Sequence, residues 1–141
     1  MDEPFYGPAQ AAGMWVYLEH DEGEIAPVSR ELVAKARDLA TEASTPLTGL
    51  LLGHRTASVA AMAATLDIDT VLAVSNPALE TFTAEAYAFA AAEVIRQRRP
   101  DIFLLGATPY GRDLAGRLAV MLQTGLTADC TDLALEAGTG L

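Results

Sequence analysis

Apolar positions gather in four short runs, "MWVYLEH" (residues 14–20), "LTGLLLG" (47–53), "TVLAVS" (70–75) and "DIFLLGA" (101–107). Three of them lack polar alternation, the pattern of strands covered on both faces of a parallel sheet. Between the runs the period changes to that of helices. In "PVSRELVAKARDLATEA" (27–43), Leu32, Ala36, Leu39, Ala40 and Ala43 recur on one stripe, while Arg30, Glu31, Lys35, Arg37, Asp38 and Glu42 form a wet face. "RTASVAAMAATL" (55–66) predicts a shorter, alanine-rich helix. In 83–99, Tyr87, Ala91, Val94 and Ile95 mark a longer one, with Arg96, Arg98 and Arg99 at its C-terminal end and Pro100 as its stop. In the last helix Leu114, Leu118, Met121 and Leu122 share a stripe, with Thr108 as N-cap, Pro109 as first residue and Gly125 as terminator. Strand and helix alternating without an internal repeat predict an α/β protein, a three-layer α/β/α sandwich with a mostly parallel, Rossmann-like sheet.

Composition narrows the partners. The 141 residues are the size of one domain, and 19 Asp plus Glu against 9 Lys plus Arg leave a formal net charge of −10. Such a balance disfavours nucleic acid and anionic membrane surfaces. No apolar run approaches the roughly 18–20 residues of a membrane-spanning helix, so no direct membrane insertion is expected. The single cysteine, Cys130, cannot form an internal disulfide, and no Cys/His cluster has metal-site spacing, which together predict a cytoplasmic protein without a bound metal. Residues 1–13 read as a loose tail and not as a targeting signal, because acidic residues stand where a signal peptide needs basic ones. The end, "LTADCTDLALEAGTGL", is extended in character and leads into the turn signal Gly138-Thr139-Gly140, so residues 136–141 are expected to begin a hairpin that leads into a further domain.

The stretch with chemistry to weigh is "LLGATPYGRD" (104–113). Gly106 and Gly111 have the spacing of a phosphate-binding loop, but Arg112 and Asp113 replace its Lys and Ser/Thr. A strand end feeding a helix N-terminus is where open α/β sheets hold anions, so Gly106, Thr108, Gly111 and Arg112 are the weak cofactor-binding candidates. Against them, Asp113 would set a negative charge beside phosphates, Arg112 lacks the compact charge of Lys, and Pro109 removes one N–H from the cradle. The plainer role is a tight turn or a subunit contact. His20 and His54 follow predicted strands without a triad or metal partner nearby in sequence. Ser29, Ser44, Ser58 and Ser75 lack a nucleophile elbow, and Cys130 has no neighbouring base. No catalytic residue is assigned.

The residues of "RPDIFLLGATPYGRDLAGRLAVMLQTGLTADCTDL" carry a resemblance beyond these patterns. Gly106-Ala107-Thr108, Gly111-Arg112-Asp113-Leu114, Arg117 and the run from Thr124 to Cys130 resemble the N-terminal domain of the electron transfer flavoprotein alpha subunit. "MWVYLEHDEGEIAPVSRELVAKARDLA" is similar to that family's first strand, acidic turn and first helix, and "WVYLEHDEG" suggests the bacterial branch with nitrogen-fixation-associated members. The likeness covers residues 14–135. One departure is Gly116, where Pro is common; another is length, since the family continues into a C-terminal domain that binds flavin adenine dinucleotide.

The resemblance implies an adenine nucleotide alpha hydrolase-like fold and a place in an electron shuttle. It implies a beta subunit as heterodimer partner, dehydrogenases such as acyl-CoA dehydrogenases as donors, and a quinone oxidoreductase or a low-potential carrier as acceptor. The redox FAD would lie in the C-terminal domain, with none bound to this chain. Residues 14–135 would be a scaffold whose nucleotide loop survives as a turn, with Arg112 and Arg117 as candidate subunit contacts. The alternative is a stand-alone nucleotide-binding module of the universal stress protein type, which carries further small residues for ribose and phosphate that are not found after Gly111.

Overall fold

The computed structural model describes residues 13–128 and 132–136. Strand β1 (Met14–Tyr17) is followed by the two-residue strands β2 (His20–Asp21) and β3 (Glu24–Ile25), helix α1 (Pro27–Glu42), β4 (Leu47–Gly53), α2 (Ala57–Ala63) and β5 (Thr70–Ser75). A 3-10 turn (Pro77–Leu79) precedes α3 (Ala84–Arg98), β6 (Ile102–Gly106), α4 (Pro109–Leu122), β7 (Leu126–Ala128) and β8 (Asp132–Leu135). Six strands form one sheet in the order β5-β4-β1-β6-β8-β7. β1, β4, β5 and β6 run parallel, while β8 pairs antiparallel with β6 and β7 antiparallel with β8. The sheet is therefore mixed, parallel through its first four strands, as the alternation of runs and helices predicts.

Strand alternation sorts the side chains into two cores. Trp15, Tyr17, Leu50, Leu52, Phe103 and Leu105 point to the face covered by α3 and α4, and Val16, Leu18, Leu47, Leu51 and Leu104 to the face covered by α1 and α2. These central strands have no polar alternation because both faces are covered. β5 is the exception: it lies at the sheet edge, and its residues are exposed or half-buried although the sequence is as apolar as its neighbours. At the other side, Lys35 of α1 forms an ion pair with Asp132 of β8.

Four sequence expectations are corrected. The first apolar run does not stay one strand to His20: it ends at Tyr17, and His20–Asp21 turns back on Glu24–Ile25 through Glu22 (φ 51) and Gly23 (φ 80), the pair of positive φ values that a tight hairpin needs. Leu39 lies off the buried stripe of α1 and is 39% exposed, while Ser29 and Val33 are buried. Helix α2 is shorter than its alanine-rich stretch. Helix α4 stops at Leu122, where Gln123 (φ 53) takes the left-handed position, so Gly125 is not its terminator. The cap at the other end stands as read, with Thr108 and Pro109 opening α4. Arg99 (φ 53) closes α3 in the same left-handed way just before Pro100. Asp69, whose carboxylate accepts from Leu47 N–H at 2.8 Å and pairs with Arg37, is held below its usual value by that backbone bond and then by the guanidinium. The tail 1–12, Cys130 and the turn Gly138–Gly140 lie outside the described residues.

Candidate functional site

The chain runs from β1 outward to β4 and β5 on one side of the sheet, then crosses to β6 on the other. The strand order reverses between β1 and β6, and the crevice beyond their C-terminal ends is where such sheets bind ligands. Two loops wall it: Leu18–Glu19 after β1, and Ala107–Thr108 between β6 and α4.

Local forces fix both loops. Glu19 is held at its backbone, its N–H donating to Ser29 Oγ at 2.8 Å and its carbonyl accepting from Ala26 N–H at 2.8 Å. Ser29, a rejected nucleophile in the sequence, is buried and serves this bond. Across the crevice, Thr108 Oγ1 accepts from Gly111 N–H at 2.9 Å, closing the N-cap of α4, and donates to Glu19 Oε1 at 2.7 Å. Arg112 N–H donates to the Thr108 carbonyl at 2.8 Å. The glycines permit the close fit: a Cβ on Gly106 would meet Val28 Cγ2 at 2.9 Å, and one on Gly111 would fall inside the envelope of the Gly106 carbonyl oxygen.

Of the sequence candidates, Gly106, Thr108 and Gly111 therefore meet in one turn, while Arg112 and Arg117 stand on the outer face of α4. The Arg112 side chain makes no hydrogen bond or ion pair among the described residues, and Arg117 Nε reaches Asp113 Oδ1 only at 4.0 Å, both half exposed. Val120 beside them is 78% exposed. Glu19 was missed in the sequence. Its signal was the acidic stretch "LEHDEGE", which the fold places at the ligand end of the sheet.

Part of what a phosphate cradle would use is already committed in this loop. An anion cradle needs free N–H groups. Here Gly111 N–H is taken by Thr108, Arg112 N–H by a backbone carbonyl, Pro109 has none, and the Glu19 carboxylate occupies the crevice. A cleft of about 590 Å³ opens beside the crevice, toward β4 and the start of α3. It adds the carboxylates of Asp21, Glu22 and Glu80 against the single guanidinium of Arg55. His20 and His54 also line it, with His20 Nε2 donating to the Leu52 carbonyl at 2.7 Å; neither belongs to a triad. Among the described residues no group of His, Cys, Asp and Glu could hold a metal ion, and no helix is long and apolar enough to cross a membrane.

Comparison with known proteins gives the same reading of the fold. Residues 14–141 match the family model described as "Electron transfer flavoprotein domain". The chain is 40% identical over 128 residues to electron transfer flavoprotein subunit alpha of Clostridium acetobutylicum, a match that covers 91% of this chain and 38% of that protein. It is 38% identical over 162 aligned positions to Protein FixB of Azorhizobium caulinodans, covering 100% of this chain and 44% of that one. It is 39% identical over 123 residues to acryloyl-CoA reductase electron transfer subunit beta of Anaerotignum propionicum, covering 87% of this chain and 34% of that one. The chain thus spans between about a third and under half of the length of these curated relatives. A Rossmann-like sheet whose strand-to-helix loop is a self-capped turn, and a family match over nearly its whole length, lead to one assignment: the chain belongs to the electron transfer flavoprotein domain family.

Proposed function

We propose that residues 14–135 are the N-terminal scaffolding and heterodimerisation domain of an alpha-type subunit of an electron transfer flavoprotein. In this reading the redox FAD sits in a C-terminal domain outside this chain, and a beta subunit is the partner. The assembled carrier takes electrons from dehydrogenases, such as acyl-CoA dehydrogenases, and passes them to a quinone oxidoreductase or a low-potential acceptor. The observation that carries the reading is the Glu19–Thr108 hydrogen bond, 2.7 Å long, which spans the switch point of the sheet and uses the hydroxyl a phosphate would need. A domain that keeps the nucleotide-binding fold but fills its crevice with its own carboxylate has a structural use for that end of the sheet. The same bond counts against a stand-alone nucleotide module.

Arg112 and Arg117, with exposed Val120, present a face suited to a partner: long guanidinium side chains supply packing and charge-assisted hydrogen bonds at interfaces. The double change Arg112→Ala, Arg117→Ala in the full-length protein is expected to weaken association with the beta subunit at least about tenfold, or about 1.4 kcal/mol. Circular dichroism of the mutant should stay unchanged, because neither side chain is buried. Sedimentation of the mixed subunits reads the first quantity. Unchanged association would remove this face from the interface.

A further inference from the structure

The cleft beside the crevice carries more acid and more aromatic surface than a closed turn requires. Its volume of about 590 Å³ falls within the roughly 300–1,000 Å³ of small-ligand sites. Glu19, Asp21, Glu22 and Glu80 line it. Phe82, Tyr87 and Tyr110 line it too: Phe82 packs against Tyr110 with ring centroids 4.5 Å apart and against Tyr87 at 4.7 Å, and Tyr110 is 55% exposed. Carboxylates alone would be an ordinary solvated rim.

Tyr17 is the second, independent observation. It is 3% exposed and lines the same cleft, yet its hydroxyl has no hydrogen-bond partner among the described residues. Its neighbour Tyr87 shows the usual outcome, donating to the Leu79 carbonyl at 2.6 Å. A buried polar group left unpaired costs about 1–3 kcal/mol, and native structures pair nearly all of them. Burial first, then Tyr87 and the Glu19 carboxylate, raise the Tyr17 phenol above its ordinary range. The group therefore remains a neutral hydroxyl, facing a cleft in which Glu19 Oε2 is also without a described partner.

We infer that this cleft binds a guanidinium group, held by Glu19 and the Tyr17 hydroxyl and stacked on the Phe82–Tyr110 wall. A guanidinium is planar, weakly hydrated and rich in donors, so it satisfies a carboxylate and a phenol oxygen together while its face lies on an aromatic ring. Arg55 is the one guanidinium already at the cleft, and its backbone is tied by its N–H to Ser75 Oγ at 2.9 Å. The group bound could belong to a free small molecule or to an arginine of a partner. This site is independent of the Arg112 face, and its failure would leave the scaffolding role untouched.

The test titrates agmatine into the full chain by calorimetry, with Glu19→Gln, Tyr17→Phe and the distant surface change Glu42→Gln alongside. Both cleft variants preserve shape, and the amide introduced by Glu19→Gln still has an oxygen to accept from Thr108; near-ultraviolet circular dichroism checks their folding. Saturable one-to-one binding is expected, weakened about tenfold by Glu19→Gln and about fivefold by Tyr17→Phe, and unchanged by Glu42→Gln. A blocked peptide, acetyl-Gly-Arg-Gly-amide, distinguishes the sources: binding as tight as that of agmatine assigns the site to a partner's arginine, and exclusion of the peptide assigns it to a free small molecule. Absence of saturable binding, or equal weakening by all three changes, overturns the inference, because the latter would reflect net charge alone.

Discussion

Replacing Gly111 by alanine is expected to destabilise the domain by about 3 kcal/mol. A methyl group there would overlap the Gly106 carbonyl oxygen and approach Thr108 Oγ1 to 3.2 Å. Both neighbours are parts of the turn itself, so relief requires the backbone to move. That movement breaks the Gly111 N–H bond to Thr108 and, with it, the geometry that aims the Thr108 hydroxyl at Glu19. Gly116 in the same helix supplies the comparison. Nothing lies within 4 Å of a Cβ added there, so Gly116→Ala is expected to stabilise by about 0.5–1 kcal/mol through helix propensity alone. Urea unfolding of the two variants reads opposite signs if Gly111 is required for close approach. A Gly111→Ala variant as stable as the parent would mean that the turn is not packed as described.

The second large effect belongs to the centre of the sheet. Phe103 is fully buried on β6, lies opposite Trp15 and Leu135 on the neighbouring strands, and meets the rings of Trp15 and Tyr17 edge-on at 6.5 and 6.4 Å. Truncating such a side chain loses its transfer free energy and leaves a cavity that surrounding strands cannot close. Phe103→Ala is expected to cost about 3–5 kcal/mol, a large share of the roughly 5–15 kcal/mol that stabilises a domain. Phe103→Leu, which fills most of the space, should cost less than half as much in the same denaturation experiment. Equal costs for the two would place Phe103 outside the tightly packed core.

The parts of the fold legible in the sequence are those governed by local rules. The runs of β4 and β6 and the apolar stripes of α3 and α4 follow from period and burial. The Thr108 cap with Pro109 behind it follows from the orphan N–H groups of a helix start. What the sequence hid depends on neighbours. β5 has the apolar composition of a central strand, and only its edge place leaves it half-exposed. Leu39 follows the helical stripe of α1 but drifts off the buried face. The acidic turn was anticipated by the resemblance, but the end of β1 at Tyr17 and the short pairing of His20–Asp21 with Glu24–Ile25 were masked by the apolar run before it. The reversed direction of β8 against β6 has no local signature at all.

The same distinction holds at the candidate site. The mismatch of Arg112 and Asp113 to a phosphate loop was visible residue by residue, and so was the place of Gly106, Thr108 and Gly111 at a strand-to-helix junction. Glu19 was not. It stands 89 residues from Thr108, and only the strand order that sets β1 beside β6 brings the two together. Tyr17 reads as one more apolar strand residue until the cleft beside it is seen.

That the crevice between β1 and β6 serves structure, not cofactor binding, is tested most directly by calorimetric titration of the chain with adenosine monophosphate and with flavin adenine dinucleotide. With the Thr108 hydroxyl and the Gly111 N–H committed and the Glu19 carboxylate in place, neither ligand should bind more tightly than millimolar. Micromolar affinity, accompanied by shifts of the Thr108 and Gly111 amide resonances, would contradict this account and restore the loop as a nucleotide site.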